Sequence, residues 1–149
     1  MSVERICQRD VDTARPNESA FQAADRMHQR TVGALVVVDA AAAPIGIVTD
    51  RDLMVRVIAA ERDPHTTLVR ETMTPQPKTV LELTDIESVV ALMQDGAFRR
   101  VPVVNDLGHL VGIITLDDIL LLFADGFTLV GRLLERETPR AAATPVSTR

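Results

Sequence analysis

The chain has 149 residues, 46 % of them hydrophobic and 25 % charged, enough to bury an apolar core without disulfides or a structural metal. A net charge of −5 and the absence of Trp and Tyr exclude the electrostatics and the stacking platforms of a nucleic-acid binder. One cysteine, Cys7, excludes an intramolecular disulfide and a Cys-rich zinc site, and the longest unbroken apolar run, residues 119–124, falls far short of the roughly 20 that a membrane span requires. With no leader-like start, the expectation is a soluble cytoplasmic protein with neither nucleic acid nor membrane as partner.

The chain repeats itself. A shift of 66 residues aligns positions 6–54 with 72–120 without a gap, placing Thr13 on Thr79, Met27 on Met93, Val37-Val38 on Val103-Val104, Gly46-Ile47 on Gly112-Ile113, Thr49 on Thr115 and Asp52 on Asp118. Each copy reads β-α-β-β-α. In the first, an extended piece at 11–14 leads to helical spacing of Phe21, Ala24 and Met27, then a β-branched run at 34–38, a turn at 39–44, a strand at 45–48 and an apolar helix at 53–59. A charged, proline-broken linker follows at 61–66. In the second, the extended piece is 78–81 and the helix carries Ile86, Val89, Val90 and Met93, with Thr84-Asp85-Ile86-Glu87 as its capping box. Strands at 101–104 and 110–114 flank a turn at 105–109, and an apolar helix spans 119–124. Beyond Asp125-Gly126, a separate amphipathic piece places Phe127, Val130, Leu133 and Leu134 at helical spacing, and residues 138–149 are expected to fray.

About sixty residues make a marginal core, so the copies are expected to pack sheet against sheet as one α/β (α+β) unit with pseudo-twofold symmetry. The boundaries read as residues 5–65 and 71–130, with 131–149 as a helix end and flexible tail.

Thr49-Asp50-Arg51-Asp52 and Thr115-Leu116-Asp117-Asp118 each join a strand to a helix. Thr at the N-cap with Asp three residues on is a capping arrangement in its own right. The same geometry suits a nucleotide, because a helix start attracts phosphate and a carboxylate there can accept both hydroxyls of a ribose. Arg51, Arg99 and Arg100, with Lys78 as a further candidate, supply positive charge for phosphate. His28, His65 and His109 have no metal-ligand spacing, so no metal site is expected. Cys7 falls on Met73 and reads as a packing position, and Met27 and Met93 read as core. No nucleophile–base pair is present, so an enzyme is not expected.

The Gly-Ile-Val-Thr-Asp-Arg-Asp-Leu at 46–53, Thr-Met-Thr-Pro at 72–75, Arg-Arg-Val-Pro-Val-Val at 99–104 and Gly-Ile-Ile-Thr-Leu-Asp-Asp-Ile at 112–119 resemble a tandem pair of CBS domains, over about residues 5 to 125. The resemblance implies a Bateman module: a regulatory pair of CBS domains with clefts between them for an adenosyl compound such as AMP, ADP, ATP, S-adenosylmethionine or NAD. It implies ribose contacts from Asp52 and Asp118, with Thr49 and Thr115 beside the phosphate or ribose. Adenine contacts would come from Thr79-Val80 or Thr13-Ala14 and from the residues around Val101-Pro102. No aromatic side chain is expected at the cleft positions, so backbone groups and apolar walls would select adenine. Pro102 suits an edge or a bulge, and Val36 in its place makes the first cleft differ. No cofactor is required, and Mg²⁺ enters only if ATP binds, with Asp117-Asp118 otherwise helix-dipole partners. The resemblance further implies a homodimer that signals to an unidentified regulated protein. The alternative is a dimerisation or protein-interaction module with empty clefts.

Overall fold

In the computed structural model, which describes residues 1–137, the repeat folds twice onto two separate sheets. A 3-10 turn, Val3–Arg5, opens the chain. The first copy then supplies β1 (Thr13–Ala14), α1 (Ala20–Arg30), β2 (Ala34–Val38), β3 (Pro44–Thr49) and α2 (Asp50–Leu53), which runs on as a π-helical turn, Met54–Ile58. The second supplies α3 (Val69–Thr72), β4 (Thr74–Pro75), β5 (Val80–Leu81), α4 (Ile86–Gly96), β6 (Arg100–Val104), β7 (Leu110–Thr115) and α5 (Leu116–Glu137). The frayed tail expected at 138–149 lies outside the described residues.

The strand order is β1-β2-β3-β4 in one sheet and β5-β6-β7 in the other. Strand β4 therefore comes from the second copy and closes the first copy's sheet, pairing Thr74 with Ile47 and Pro75 with Gly46. Gln8, the repeat partner of Thr74, bridges Ile113 in the second sheet through reciprocal hydrogen bonds of 2.9 Å. The leading segment of each copy has thus crossed to the other copy's body. Val3 is fully buried in the second core with Ile86, Val89, Val101 and Ile114, while its repeat partner Val69 is fully buried in the first with Ala23, Leu35 and Val48. The straps match as well. Ala20 N donates to Thr67 O and Val69 N to Glu18 O, as Ile86 N does to Met1 O and Val3 N to Thr84 O. Gly46 and Gly112 allow the crossing: a Cβ at 46 would stand 2.3 Å from the Met73 sulfur, and one at 112 would stand 3.0 Å from the Gln8 carbonyl oxygen.

Each core lies between one sheet and its helices. Val36, Val38, Pro102 and Val104 are buried yet belong to neither core; they occupy the opposite faces of β2 and β6, where the two sheets back onto one another as expected.

Several local expectations are corrected. Helix α1 buries Ala20, Ala23 and Met27, leaving Phe21 and Ala24 exposed, and its capping box is Ser19 with Gln22. Phe21 instead stacks on His65 with ring centroids 4.4 Å apart. Helix α4 is capped by Asp85, whose carboxylate accepts from the Ser88 amide, rather than by a box at Thr84, and Val90 is partly exposed. Helix α5 runs unbroken through Asp125-Gly126, so the amphipathic piece beyond is not separate. Pro102 sits in the central strand of its sheet, not on an edge. It is tolerated because β5 pairs only with Val103 and Val104; the rung Thr13–Val36 of the first copy has no counterpart in the second.

The two hairpin turns share one design and differ at one residue. Asp39 Oδ1 accepts from the amides of Ala41 and Ala43, as Asn105 Oδ1 does from Leu107 and His109. Ala42 and its repeat partner Gly108 both have positive φ, 61° and 80°. Left-handed backbone costs a residue with a Cβ roughly 1 kcal/mol relative to glycine. Ala42→Gly is therefore expected to stabilise the protein by up to about 1 kcal/mol, read as a raised denaturation midpoint, and Gly108→Ala to lower it by a similar amount.

Candidate functional site

Both Thr-x-x-Asp turns are capping boxes. Thr49 Oγ1 accepts from the Asp52 amide at 3.1 Å while Asp52 Oδ2 accepts from the Thr49 amide at 2.9 Å. At the second turn the matching distances are 3.2 and 2.8 Å, and the Thr115 hydroxyl also donates to Asp118 Oδ2 at 2.7 Å. Capping fixes each threonine and carboxylate at the end of a strand, with the helix N-terminus beside them.

A cleft of about 250 Å³ opens at the first turn, where the two copies meet. From the first copy come Ile47, Thr49 and Asp52; from the second come Thr74, Pro77, Lys78, Phe98, Arg99 and Arg100. Its repeat-related counterpart is about 160 Å³ and is lined by Gln8, Asp10, Val11, Asp12, Val32, Gly33, Ala34, Ile113 and Thr115, with Arg100 reaching into this cleft too. The repeat exchanges Lys78 for Asp12, Phe98 for Val32, Arg99 for Gly33 and Arg100 for Ala34. The first cleft is consequently basic with an aromatic wall, whereas the second carries acids on its rim.

The structure thus brings Thr49, Asp52, Arg99 and Arg100 together, with Lys78, and places Thr115 at the smaller cleft. Asp118 stands just behind Thr115, hydrogen-bonded to Gln8. Thr13 and Ala14 line a separate open groove with Arg15, Glu18, Arg26 and Arg30, in which Arg26 pairs with Glu18 and Arg30 with Asp10 and Asp12. The Arg26 pair holds the Glu18 carboxyl below its usual range. Arg51 and Thr79 are exposed and line neither cleft; Val80 and Val101 are buried in the second core, and Pro102 is buried on the back of its sheet.

Phe98 corrects the expectation that no aromatic group reaches a cleft. Its position is set by Gly96, at which a Cβ would lie 1.9 Å from the Phe98 ring, and a Gly-x-Phe between helix and strand was the available signal. Arg99 bonds the Asp117 carboxylate at 3.2 Å, a pair exposed on both sides and so worth little enough to give way to a phosphate. Asp52, with 18 % of its side chain exposed, makes no hydrogen bond through Oδ1 among the described residues; that oxygen forms a long ion pair with Arg56 at 3.8 Å. Arg56 itself donates to the Thr72 and Met73 carbonyls at 2.8 Å and so ties the crossed segment beside Asp52. Cys7 packs against the second core, and burial pushes its thiol up, as suits a packing residue. Among the described residues no cluster of His, Cys, Asp and Glu fits a metal ion, and no helix is long and apolar enough to cross a membrane.

Comparison with known proteins agrees with this architecture. The CBS domain model matches residues 3–59 and again 69–125. An uncharacterized protein of Methanopyrus kandleri is 38 % identical over 120 residues, 80 % of this chain and 61 % of that one, so this chain spans under two-thirds of that relative. The structure of a CBS-domain containing protein from Agrobacterium tumefaciens superposes with a TM-score of 0.73 at 31 % identity, covering 82 % of this chain and 98 % of the other. The structure of CBSX2 in complex with AMP shares the fold at a TM-score of 0.72 and 23 % identity, over 83 % of this chain and 97 % of that one. Two family matches in tandem, on the halves that the 66-residue repeat defines, make this chain a member of the CBS domain family.

Proposed function

We propose that this CBS pair is a regulatory module that binds an adenine nucleotide between its halves and transmits the bound state to a partner protein. CBS pairs are in general regulatory, non-catalytic modules, and the reading for this chain is carried by one observation: Asp52 lines a cleft that also holds Lys78, Arg99 and Arg100. A carboxylate anchored by a hydrogen bond through one oxygen, with the other held only by the 3.8 Å ion pair to Arg56, can accept from ribose hydroxyls, while three cations meet the phosphate. Ile47 and Phe98 offer apolar walls to a purine. Pro102 has no amide, so the Lys78 carbonyl lacks the donor that the Asp12 carbonyl receives from Val36, and an exocyclic amino group can take that place. AMP needs no metal in this site, and Mg²⁺ would enter only with ATP.

Because the cleft is walled by both copies, a ligand there alters their relative tilt. It shifts an equilibrium only if it favours one arrangement over another. The exposed apolar groups Met54, Val55 and Ile58, with the repeat partners Leu120 and Leu121, suit a homodimer through these helices. They also favour the second reading, an interaction module with empty clefts.

A chain with no Trp or Tyr is nearly transparent at 280 nm, so nucleotide retained through purification would dominate its ultraviolet spectrum. On stripped protein, the double substitution Arg99→Ala and Arg100→Ala is expected to weaken AMP and ATP by about 10- to 150-fold in calorimetry and adenosine by less than about 3-fold. An equal loss for all three refutes the phosphate role. No binding of any adenosyl compound leaves the interaction module.

A further inference from the structure

The two clefts are built on one plan, and beyond their difference in charge they differ in how the carboxylate of the Thr-x-x-Asp turn is bonded. At the smaller cleft the Gln8 amide donates to Asp118 Oδ1 at 2.9 Å, while the Thr115 amide and hydroxyl both donate to Asp118 Oδ2. Both oxygens of this carboxylate and the hydroxyl hydrogen of Thr115 are therefore engaged. At the larger cleft, Thr74 stands where Gln8 stands. Its side chain makes no bond to Asp52, and the Thr49 hydroxyl is not turned onto the carboxylate. The difference follows from chain length: Gln8 and Thr74 occupy equivalent places on the crossed segments, paired with Ile113 and Ile47, and only glutamine is long enough to span from there to the carboxylate.

Resting on the nucleotide reading above, we infer that the module takes one nucleotide per chain, at Asp52, and that Gln8 is the residue that keeps the Asp118 cleft from accepting a ribose. The plug is supplied by the first copy's leading segment, so it stays in place only while that segment is docked on the second half. Charge works in the same direction: the smaller cleft sets Arg100 against Asp10 and Asp12, which pair with Arg30, where the larger cleft offers Lys78, Arg99 and Arg100 against Asp52. An unphosphorylated nucleoside avoids that difference in charge and so isolates the effect of Gln8.

The test uses the full chain, stripped of nucleotide, titrated calorimetrically with AMP and with adenosine. Wild type is expected to bind one of either per chain, and Asp52→Asn to weaken that site by about 10-fold or more. Gln8→Thr, which installs the residue of the equivalent position, is expected to raise the adenosine stoichiometry to two, as is Gln8→Ala. Combined with Asp52→Asn, each should leave one adenosine site. Two equivalent sites in wild type, or a stoichiometry unchanged by both Gln8 substitutions, overturn the inference and leave the nucleotide reading standing. Absence of any binding to wild type overturns both.

Discussion

Asp52→Ala is expected to lower the affinity for AMP by about 10- to 150-fold, because a hydrogen-bonded charged group contributes roughly 1.5–3 kcal/mol and each 1.4 kcal/mol is a decade. The carboxylate has two tasks that the substitution removes together. Oδ2 accepts from the Thr49 amide and closes the cap of α2, and loss of such a cap costs about 1 kcal/mol of stability. On the nucleotide reading, Oδ1, paired only with Arg56 at 3.8 Å among the described residues, is the acceptor for the ribose. Asp52→Asn separates the tasks, since an amide oxygen can still accept from the Thr49 amide while the charge is gone. Most of the binding loss should therefore persist in Asp52→Asn with little of the stability loss. Unchanged AMP affinity in both variants, with a lowered melting temperature in Asp52→Ala alone, reduces Asp52 to a capping residue.

How much of this was legible in the sequence depends on how local the determining physics is. The hairpins could be read because β-branched runs separated by Asp or Asn turns declare themselves within a dozen residues, and β2 begins and ends where the run does. The Thr-x-x-Asp boxes are equally local. The face of α1 departs from the expected one because Phe21, its largest apolar residue, lies outside the core while Ala20 and Ala23 lie inside it. Small side chains are what a helix presents where it packs closely, and Phe21 finds His65 outside the core. Asp125-Gly126 in sequence suggests a stop to α5, but a glycine ends a helix where it adopts left-handed backbone. Here it stays helical and exposed, at a cost of about 1 kcal/mol relative to alanine. At the site, Arg51 beside Asp52 read as a phosphate ligand, whereas adjacent helical residues point about 100° apart and the cleft is served by Asp52 alone. The crossing of the leading segments could not be read at all. Val3 lies between Ser2 and Glu4 and Val69 between Leu68 and Arg70, and nothing within their own neighbourhoods says which core they enter.

That crossing makes a prediction that runs against the order of the sequence. Removing residues 1–9 is expected to destabilise the second copy rather than the first. Val3 is fully buried among residues of α4, β6 and β7, and burying a valine contributes roughly 1.5–3 kcal/mol. Ile6 and Cys7 add partial burial, and the truncation also breaks the backbone bonds from Val3 to Thr84, from Glu4 to Glu82 and from Ile86 to Met1. The total loss is on the order of 3–6 kcal/mol, a large share of the 5–15 kcal/mol typical of a whole domain. Hydrogen exchange should then show the amides of β6 and β7 opening by local unfolding while β2 and β3 keep more of their protection. The milder Val3→Ala, at about 2 kcal/mol, should accelerate exchange in the same strands by roughly 30-fold and speed alkylation of Cys7, whose thiol is shielded only while the segment is docked. Val69→Ala should produce the mirror pattern, with β2 and β3 losing protection first. If truncation of residues 1–9 weakens protection chiefly in β2 and β3, the crossed assignment of the two segments fails. Docking of Gln8 against Asp118 would fail with it, since the same nine residues carry both.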